Sequence, residues 1–340
     1  MTAAISGRPG LAGPTTTTPP RLPGSVRRTT NLDLLPQPDG TLVLAGRARD
    51  LVTQRDGRTR ASATGLLRLR VDHERRVAEV GAHPGGDALA ALVGRSVSAG
   101  FRTAVYRALP QGYDDGSPVH LLLDDVPGAM VISGFARRRA AKAAGVPPPP
   151  PAASRRLDVC IGWASDSDAA RRLARGGASP PHWNPPAPDL AAADPIGTHS
   201  QPDLPVHAMR RARRLDVRPD GPDTLVADVN FRDTFADVDG TVRVLHEYSV
   251  RLQATAGRVS AIDVTAHVLP HLECPLGAAS AQRIVGRSLS VLRDFVSLDL
   301  FGPTTCTHLN DLLRGLSDLP ALAGPVTALA GPLPSSSTSL

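Results

Sequence analysis

Residues 224–252 read TLVADVNFRDTFADVDGTVRVLHEYSVRL, and this stretch decides the fold. Asp239-Gly240 lies between two apolar runs, and such a pair favours a tight turn between strands. After the turn, Val242, Val244 and Val250 follow the period of two that is typical of a half-buried strand. The stretch therefore predicts two antiparallel strands joined by a hairpin.

Residues 41–69 repeat this stretch 183 positions earlier and read TLVLAGRARDLVTQRDGRTRASATGLLRL. The repeat continues on both sides, with small gaps, through Leu32-Asp33-Leu34 and Leu215-Asp216-Val217, Val93-Gly94-Arg95-Ser96 and Val285-Gly286-Arg287-Ser288, and His120-Leu121 and His308-Leu309. Because the matches all occur in one order, they predict a duplicated domain with copies at residues 27–128 and 210–316.

Each copy is predicted to be an antiparallel strand meander followed by two helices. The first helix of each copy is predicted over residues 87–109 and 277–296, and the second begins near Ser117 and near Thr305. This order indicates an α+β fold with one sheet layer and one helix layer. The two copies are expected to pack as a pseudo-dimer.

The composition between and outside the copies sets the expected domain organisation. Five consecutive prolines at residues 147–151 favour a stiff polyproline spacer, and residues 166–175 are compatible with a short helix. The predicted boundaries are a disordered segment 1–24, a degenerate first copy 25–142, a Pro-rich linker 143–206, a second copy 207–322 and a disordered tail 323–340.

The charge of the chain is a weak guide to its partners. The formal net charge is +6, and 37 of the 38 basic residues are arginine, with Lys142 the one lysine. This usage, with 33 prolines and 31 glycines, is typical of a GC-rich coding sequence. No apolar run approaches the ~20 residues of a membrane span, the first residues are not typical of a secretory signal, and three cysteines argue against a disulfide framework. We therefore expect a cytoplasmic protein with no membrane partner.

A metal site is predicted in the second copy. Its candidate ligands are Cys160, His246, Glu247, Cys274, Cys306 and His308. Thiolate and imidazole donors suit zinc or an iron–sulfur cluster, and a helix N-terminus lowers the pKa of a thiol. Only one of two consecutive strand residues, His246 or Glu247, can enter the site. The alternative is that the cysteines are small buried core residues.

The first copy lacks most of these groups, which argues that the fold itself does not require them. Ala63 and Thr64 stand where the second copy has the His-Glu pair, and Ser117-Pro118 stands near the position of Cys306. The first copy is therefore expected to be structural or to dock a partner.

The second copy resembles a bacterial family that carries a domain-of-unknown-function label. The resemblance depends on residues 306–313, Cys-Thr-His-Leu-Asn-Asp-Leu-Leu, on His246-Glu247 and on Cys274-Pro275. The order of Cys274, Ser280, Gly286-Arg287 and Cys306 is also distantly similar to the NifU-like scaffolds of iron–sulfur cluster assembly. That likeness implies a cluster-binding role, although the first cysteine of those scaffolds has no match here.

Two other functions remain as alternatives. Arginines 210, 211, 213 and 214, with residues 137–142, could neutralise phosphates in a nucleic-acid-binding or protein-interaction module. No sequence-specific nucleic-acid partner is expected, because few aromatics are available for stacking on bases. A thiol nucleophile built on Cys306 and His308 is disfavoured, since residues i and i+2 of a helix point about 200° apart.

Overall fold

The structure is a computed structural model that describes residues 10–146, 157–175 and 183–327. Eight strands within these residues form one antiparallel sheet. The strands are β1 (Ser25–Pro36), β2 (Leu42–Thr53), β3 (Thr59–Val71), β4 (Val77–His83), β5 (Met209–Pro219), β6 (Thr224–Ala236), β7 (Val242–Thr255) and β8 (Arg258–Val268). Their order across the sheet is β4-β3-β2-β1-β5-β6-β7-β8, so two four-strand meanders meet along β1 and β5.

The described residues also form α-helices, most of which pack on one face of the sheet. They are α1 (Phe101–Ala108), α2 (Pro110–Asp114), α3 (Pro118–Ile132), α4 (Phe135–Ala143), α5 (Asp168–Ala174), α6 (Leu292–Asp299), α7 (Thr307–Gly315) and α8 (Leu319–Thr327). The predicted α+β class is confirmed. The later helix of each half begins close to its predicted start, and α5 occupies the predicted short helix of the linker.

The strand register of the two meanders is alike. Thr30 of β1 faces Arg213 of β5, and these two residues are 183 positions apart in the chain. The β2–β3 pair has a register shift after Asp50, and the β6–β7 pair has one after Asp233, again 183 positions later. A register shift at the same place in both meanders favours the same local bend in each.

The prediction of one long helix over residues 87–109 and another over residues 277–296 is wrong. Each is broken into a 3₁₀ helix, Asp87–Leu92 or Cys274–Ile284, and a later α-helix. The break falls at Gly94 and Gly286, whose φ values of 78° and 82° lie in the left-handed region that glycine adopts without strain. At the second break the backbone is hydrogen-bonded to the sheet, since the Gly286 N–H donates to the Val259 carbonyl of β8 at 2.7 Å.

The opposite face of the sheet is covered by the N-terminal segment and residues 183–205 of the linker, whereas residues 157–175 of the linker pack on the helix side. Residues 10–24, which were predicted to be disordered, instead lie on this face, where the Ala12 N–H donates to the Ala266 carbonyl at 3.0 Å. In the linker, the Val244 N–H donates to the Pro185 carbonyl at 2.9 Å. Both segments stay ordered because they satisfy backbone groups at the sheet. The predicted proline spacer at 147–151 lies outside the described residues.

The helix around α3 bears on the membrane prediction. Within the described residues, Pro118–Lys142 is the one helical stretch long and apolar enough to cross a membrane. However, 72% of its apolar window is buried within the protein, as in the core helix of a soluble protein. At the C-terminus, α8 runs four residues past the predicted start of the tail, and residues 328–340 lie outside the described residues.

Two apolar cores fill the space between sheet and helices. One lies under β1–β4, α1 and α3, and the other under β5–β8 and α6–α8. Each core contains residues of the other half. Val26 and Leu121 of the first half pack in the second core, and Met209 and Phe235 of the second half pack in the first core. The halves therefore interlock, and the charged residues described next lie between the two cores.

Candidate functional site

A cleft of about 590 Å³ opens between the helices of the two halves. Helices α1 and α3 of the first half line one side, and α6 and α7 of the second half line the other. Its polar lining consists chiefly of Arg102, His120, Asp124, Arg293, His308, Asp311 and Arg314. Clefts at the interface of two structural units are common small-molecule sites.

The polar lining of the cleft is part of a buried network of ion pairs that connects the two halves. The network consists of Arg28, Arg102, Arg211, Arg213, Arg293 and Arg314 with Asp50, Asp124, Asp125, Asp233, Asp311 and Asp318. Six guanidinium groups thus balance six carboxylates within this part of the described chain. Such burial of charge is tolerated only because each group has partners of the opposite sign.

Asp233, His246 and His308 form a compact triad at one edge of this network. Their donor atoms all lie within 4.8 Å of one another, and all three residues are largely buried. The Nδ1 atom of His246 is 3.2 Å from Oδ2 of Asp233, and Nε2 of His308 is 4.0 Å from the same oxygen. The two imidazole rings stack with their centroids 3.6 Å apart. The triad can therefore offer two nitrogens and one oxygen to a single ion.

The local sequence explains how three distant residues meet. Asp233 and His246 are cross-strand partners in the β6–β7 hairpin, directly before the register shift. His308 lies in the first turn of α7, which begins immediately after Cys306. The cleft reaches this triad through His308, which belongs to its lining.

The charge states of the triad suit a cation. Burial acts against the charge of Asp233, but the Arg211 guanidinium and the hydrogen bond with His246 outweigh it and hold the pKa of Asp233 well below its usual range. Burial, followed by the neighbouring His246, lowers the pKa of His308 well below its usual value. At neutral pH the triad thus contains a carboxylate and a neutral His308, and neutral imidazole is the form that ligates metals.

The adjacent Glu247 faces the other side of the sheet. Its carboxylate accepts hydrogen bonds from Arg232 at 2.9 Å and from Asn230 at 3.0 Å, and the backbone N–H of Thr15 lies 3.3 Å away. The alternation of a strand therefore separates Glu247 from His246, and Glu247 holds the N-terminal segment against the sheet rather than lining the cleft.

The three cysteines share a second buried pocket around Tyr248. Tyr248 follows His246 by two residues on β7, so its side chain emerges on the same face of the sheet roughly 7 Å along the strand. Burial, followed by Cys306 and Cys160, raises the pKa of Cys274 well above its usual value. Burial, and then Cys306, likewise raises the pKa of Cys160 to about 11.

The linker closes this cysteine pocket. The Ile161 N–H donates to the Thr305 carbonyl at 2.8 Å, and Gly162 packs so closely that an added Cβ would lie 2.6 Å from the Cys274 sulfur. The expectation that helix N-termini favour the thiolate is wrong for Cys306. The N–H groups at the start of α7 do lower its pKa, but burial outweighs them and the net shift is upward.

The arginine cluster of β5 is engaged within the protein. Arg211 and Arg213 point into the buried network, whereas Arg210 pairs with Asp33 at 2.6 Å on the other face. Arg214 pairs with Asp216 and Asp228. These four side chains are at most 13% exposed and are paired with carboxylates, so the cluster does not present exposed, unpaired arginines to a phosphate backbone.

Sequence reasoning missed Asp233, Asp311 and the whole ion network. The Arg-Asp pair at 232–233 was visible as part of the repeat, but an isolated Asp on a strand has no spacing that marks a ligand. The register beside the turn pairs Ala236 with Val242 and would by itself place residue 233 opposite residue 245. The register shift after Asp233 brings His246 opposite Asp233 instead, and no sequence signal marked that shift.

The fold and the site define a two-layer α+β protein with a charged cleft between two similar halves. A family model described as a protein of unknown function (DUF2889) matches residues 209–321, which is about a third of the chain. The match begins with β5 and includes Asp233, His246, His308, Cys274 and Cys306.

Comparisons with other known proteins add little. No curated protein sequence matches the chain. A solved structure titled "Crystal structure of lipopolysaccharide binding protein" aligns with 9% sequence identity over 86% of this chain and 92% of that chain. Its TM-score of 0.13 is too low to support an inference about fold or function.

Proposed function

We propose that the second half of the protein binds one divalent metal ion of the zinc class through Asp233, His246 and His308. The observation that carries this proposal is the convergence of three ligating side chains within 4.8 Å, one of which, His308, lines a cleft. The protein would then be a metal-binding domain whose site opens onto a small-molecule pocket.

The spacing of the donor atoms supports this proposal. Two ligands of one tetrahedral zinc ion, with bonds of about 2.1 Å, lie about 3.4 Å apart. The two separations from the Asp233 oxygen, 3.2 Å to His246 and 4.0 Å to His308, bracket that value. Coordination by both histidines would also require the stacked imidazole rings, whose centroids lie 3.6 Å apart, to turn until one nitrogen of each points at the ion.

The chemistry of the donors favours zinc over an iron–sulfur cluster. The triad offers nitrogen and oxygen, whereas a cluster requires several thiolates. Three protein ligands leave a fourth position, which is the arrangement of catalytic rather than structural zinc sites. When bound, zinc would polarise a carbonyl oxygen or lower the pKa of a coordinated water. Cys160, Cys274 and Cys306 would then support the site through packing.

We further propose that the chain arose by duplication of one domain. The equal register shifts and the 183-residue spacing of facing strands support this origin. Arg27 pairs with Asp216 and Arg210 pairs with Asp33, which is the reciprocal pattern of a two-fold interface. In the first half the cross-strand partner of Asp50 is Ala63, where the second half has His246 beside Asp233. The first half thus lacks one ligand.

Metal analysis of the purified full-length protein tests the metal proposal. We expect close to one zinc per chain after reconstitution, a spectrum without iron–sulfur absorption, and loss of the zinc in His308→Gln. The control is His120→Gln, which changes the counterpart of His308 in the first half and should keep the zinc.

The Cys306→Ser variant separates this ligand set from one that contains thiolates. It should retain zinc if Asp233, His246 and His308 hold the ion. Folded His308→Gln protein with full zinc content would refute the proposal. Loss of zinc from Cys306→Ser would indicate that the cysteine pocket, rather than the triad, binds the ion.

A further inference from the structure

The cleft extends well beyond the metal triad, and its outer part has a chemistry of its own. Its outer wall carries five large apolar side chains that are at least 45% exposed: Tyr106, Val131, Val159, Leu298 and Phe301. The whole chain contains only 11 aromatic residues other than histidine, and three of them, Tyr106, Tyr113 and Phe301, line this cleft. An exposed apolar wall beside a polar floor is typical of a binding site for an amphipathic small molecule.

We propose that this cleft binds a small organic carboxylate, with the carboxylate on Arg102 and an apolar body against the wall formed by Tyr106, Leu298 and Phe301. The volume of about 590 Å³ lies within the range of small-molecule pockets. The proposal goes beyond the metal triad, because it concerns residues of the first half and of the rim and does not require an ion.

Arg102 is the member of the ion network that is open to a ligand. Its side chain is 33% exposed, whereas those of Arg211, Arg293 and Arg314 are 6% exposed or less. Its Nε atom donates to Asp124 at 2.9 Å and its Nη2 atom donates to Asp311 at 3.1 Å. The Nη1 atom has no hydrogen-bond partner among the described residues, so one charged N–H group is left for an external acceptor.

Other unpartnered polar atoms of the cleft lie in side chains that are more than nine-tenths buried. Nε of Arg293 and Nδ1 of His120 have no hydrogen-bond partner within the described part of the chain. Such a buried polar atom without a partner is costly, but both atoms are fully buried, so a ligand oxygen could reach them only if neighbouring side chains moved, and the proposal depends on Arg102. Burial, and next the neighbouring Arg314, lowers the pKa of Arg102, so an added negative charge there would be stabilising.

The surroundings favour a carboxylate over a phosphate. Asp124 and Asp311 already lie within 3.1 Å of the Arg102 guanidinium and would repel a dianion more strongly than a monoanion. One oxygen of a carboxylate can accept a charge-assisted hydrogen bond from the Nη1 group that Asp124 and Asp311 leave free. The exposed aromatic and aliphatic wall would contact an apolar ligand body, which a bare inorganic anion does not have.

Titration of the full-length, EDTA-treated protein with phenylacetate, hexanoate and decanoate tests this inference. We expect saturable binding of at least one carboxylate, and binding at least about tenfold weaker for its neutral amide. Arg102→Met keeps the apolar stem and should weaken binding by a similar factor. Arg58→Met is the control, because Arg58 is 82% exposed and lies outside the cleft.

A second variant guards against misfolding of the Arg102 variant. Leu298 is 71% exposed, so Leu298→Asp should fold normally and still weaken binding through its charge on the apolar wall. Equal affinity for a carboxylate and its amide, or unchanged binding by both variants, would overturn the inference. Failure of every carboxylate to bind at millimolar concentration would overturn it as well. Zinc content is measured separately, so failure here leaves the metal proposal intact.

Discussion

Asp233 and Asp50 occupy equivalent places in the two halves, and this equivalence provides a matched pair of variants. Arg211 donates to Asp233 through Nε at 2.8 Å and Nη2 at 3.1 Å, and Arg28 donates to Asp50 through the same two atoms at 2.7 Å each. The remaining Nη1 of each arginine donates to a second aspartate. The two carboxylates therefore have the same structural role, but only Asp233 has a histidine as its cross-strand partner.

The expected loss of stability follows from these contacts. Removing one partner of a buried ion pair costs about 3–5 kcal/mol. The lower end, about 3 kcal/mol, applies to both Asp233→Asn and Asp50→Asn, because each arginine keeps a second carboxylate and the new amide keeps one oxygen. A protein with about 5–15 kcal/mol of stability remains folded after such a loss.

Urea denaturation of the metal-free variants, together with zinc analysis, separates structural from ligating roles. We expect both variants to unfold at lower urea with unchanged slope, and only Asp233→Asn to lose zinc. Equal zinc loss in both variants would mean that the metal depends on general stability. Full zinc retention in Asp233→Asn would show that its carboxylate is not a ligand.

Two further predictions use other parts of the structure. Ala63→His should restore the missing ligand of the first half beside Asp50. We therefore expect calorimetry to detect a second zinc ion per chain that binds more weakly than the first. A stoichiometry that stays at one would argue against equivalence of the two halves. Burial, and then Arg49 and Arg47, lower the pKa of His199 to about 4 from 6.5. The unfolded chain therefore takes up this proton at higher pH than the folded protein, so stability should be complete above about pH 6.5 and fall towards pH 4. His199→Gln should reduce this loss in urea titrations without abolishing it, because burial also lowers the pKa of His120 to about 4. An unchanged pH profile would exclude His199 as a contributor.

The sheet could be predicted from the sequence because its signals are local. Alternation marks the strands, Asp-Gly pairs at residues 39–40, 56–57, 220–221 and 239–240 mark four of the six hairpin turns, and the repeat transfers the assignment from one half to the other. A long helix was predicted because Ile284, Leu289 and Leu292 follow roughly helical spacing. All three are buried, as that pattern requires, although they do not belong to one continuous helix. The left-handed Gly286 interrupts that helix, and its pairing with Val259 depends on a tertiary contact that periodicity does not reveal.

The candidate site could be predicted only in part, since its residues are far apart in the chain. His246 and His308 were recognised by residue type, and the structure brings them together. Cys274 and Cys306 were recognised in the same way but lie in the neighbouring pocket. The two pockets are only two residues apart on β7, because His246 belongs to one and Tyr248 to the other. Which side chains meet at each of these residues depends on where the linker and α7 pack.

The ion network explains why the two halves must act as one unit, although only the second half offers the full triad. Arg213 of the second half is neutralised by Asp125 of the first, and Arg28 of the first half is bonded to Asp318 of the second at 2.9 Å. Separation of the halves would leave these charges buried without partners or would expose both cores. The matched family segment, residues 209–321, therefore depends in this protein on carboxylates that lie outside it. The first half thus makes two physical contributions: it completes the charge balance beside the triad, and it supplies Arg102 and one side of the cleft wall.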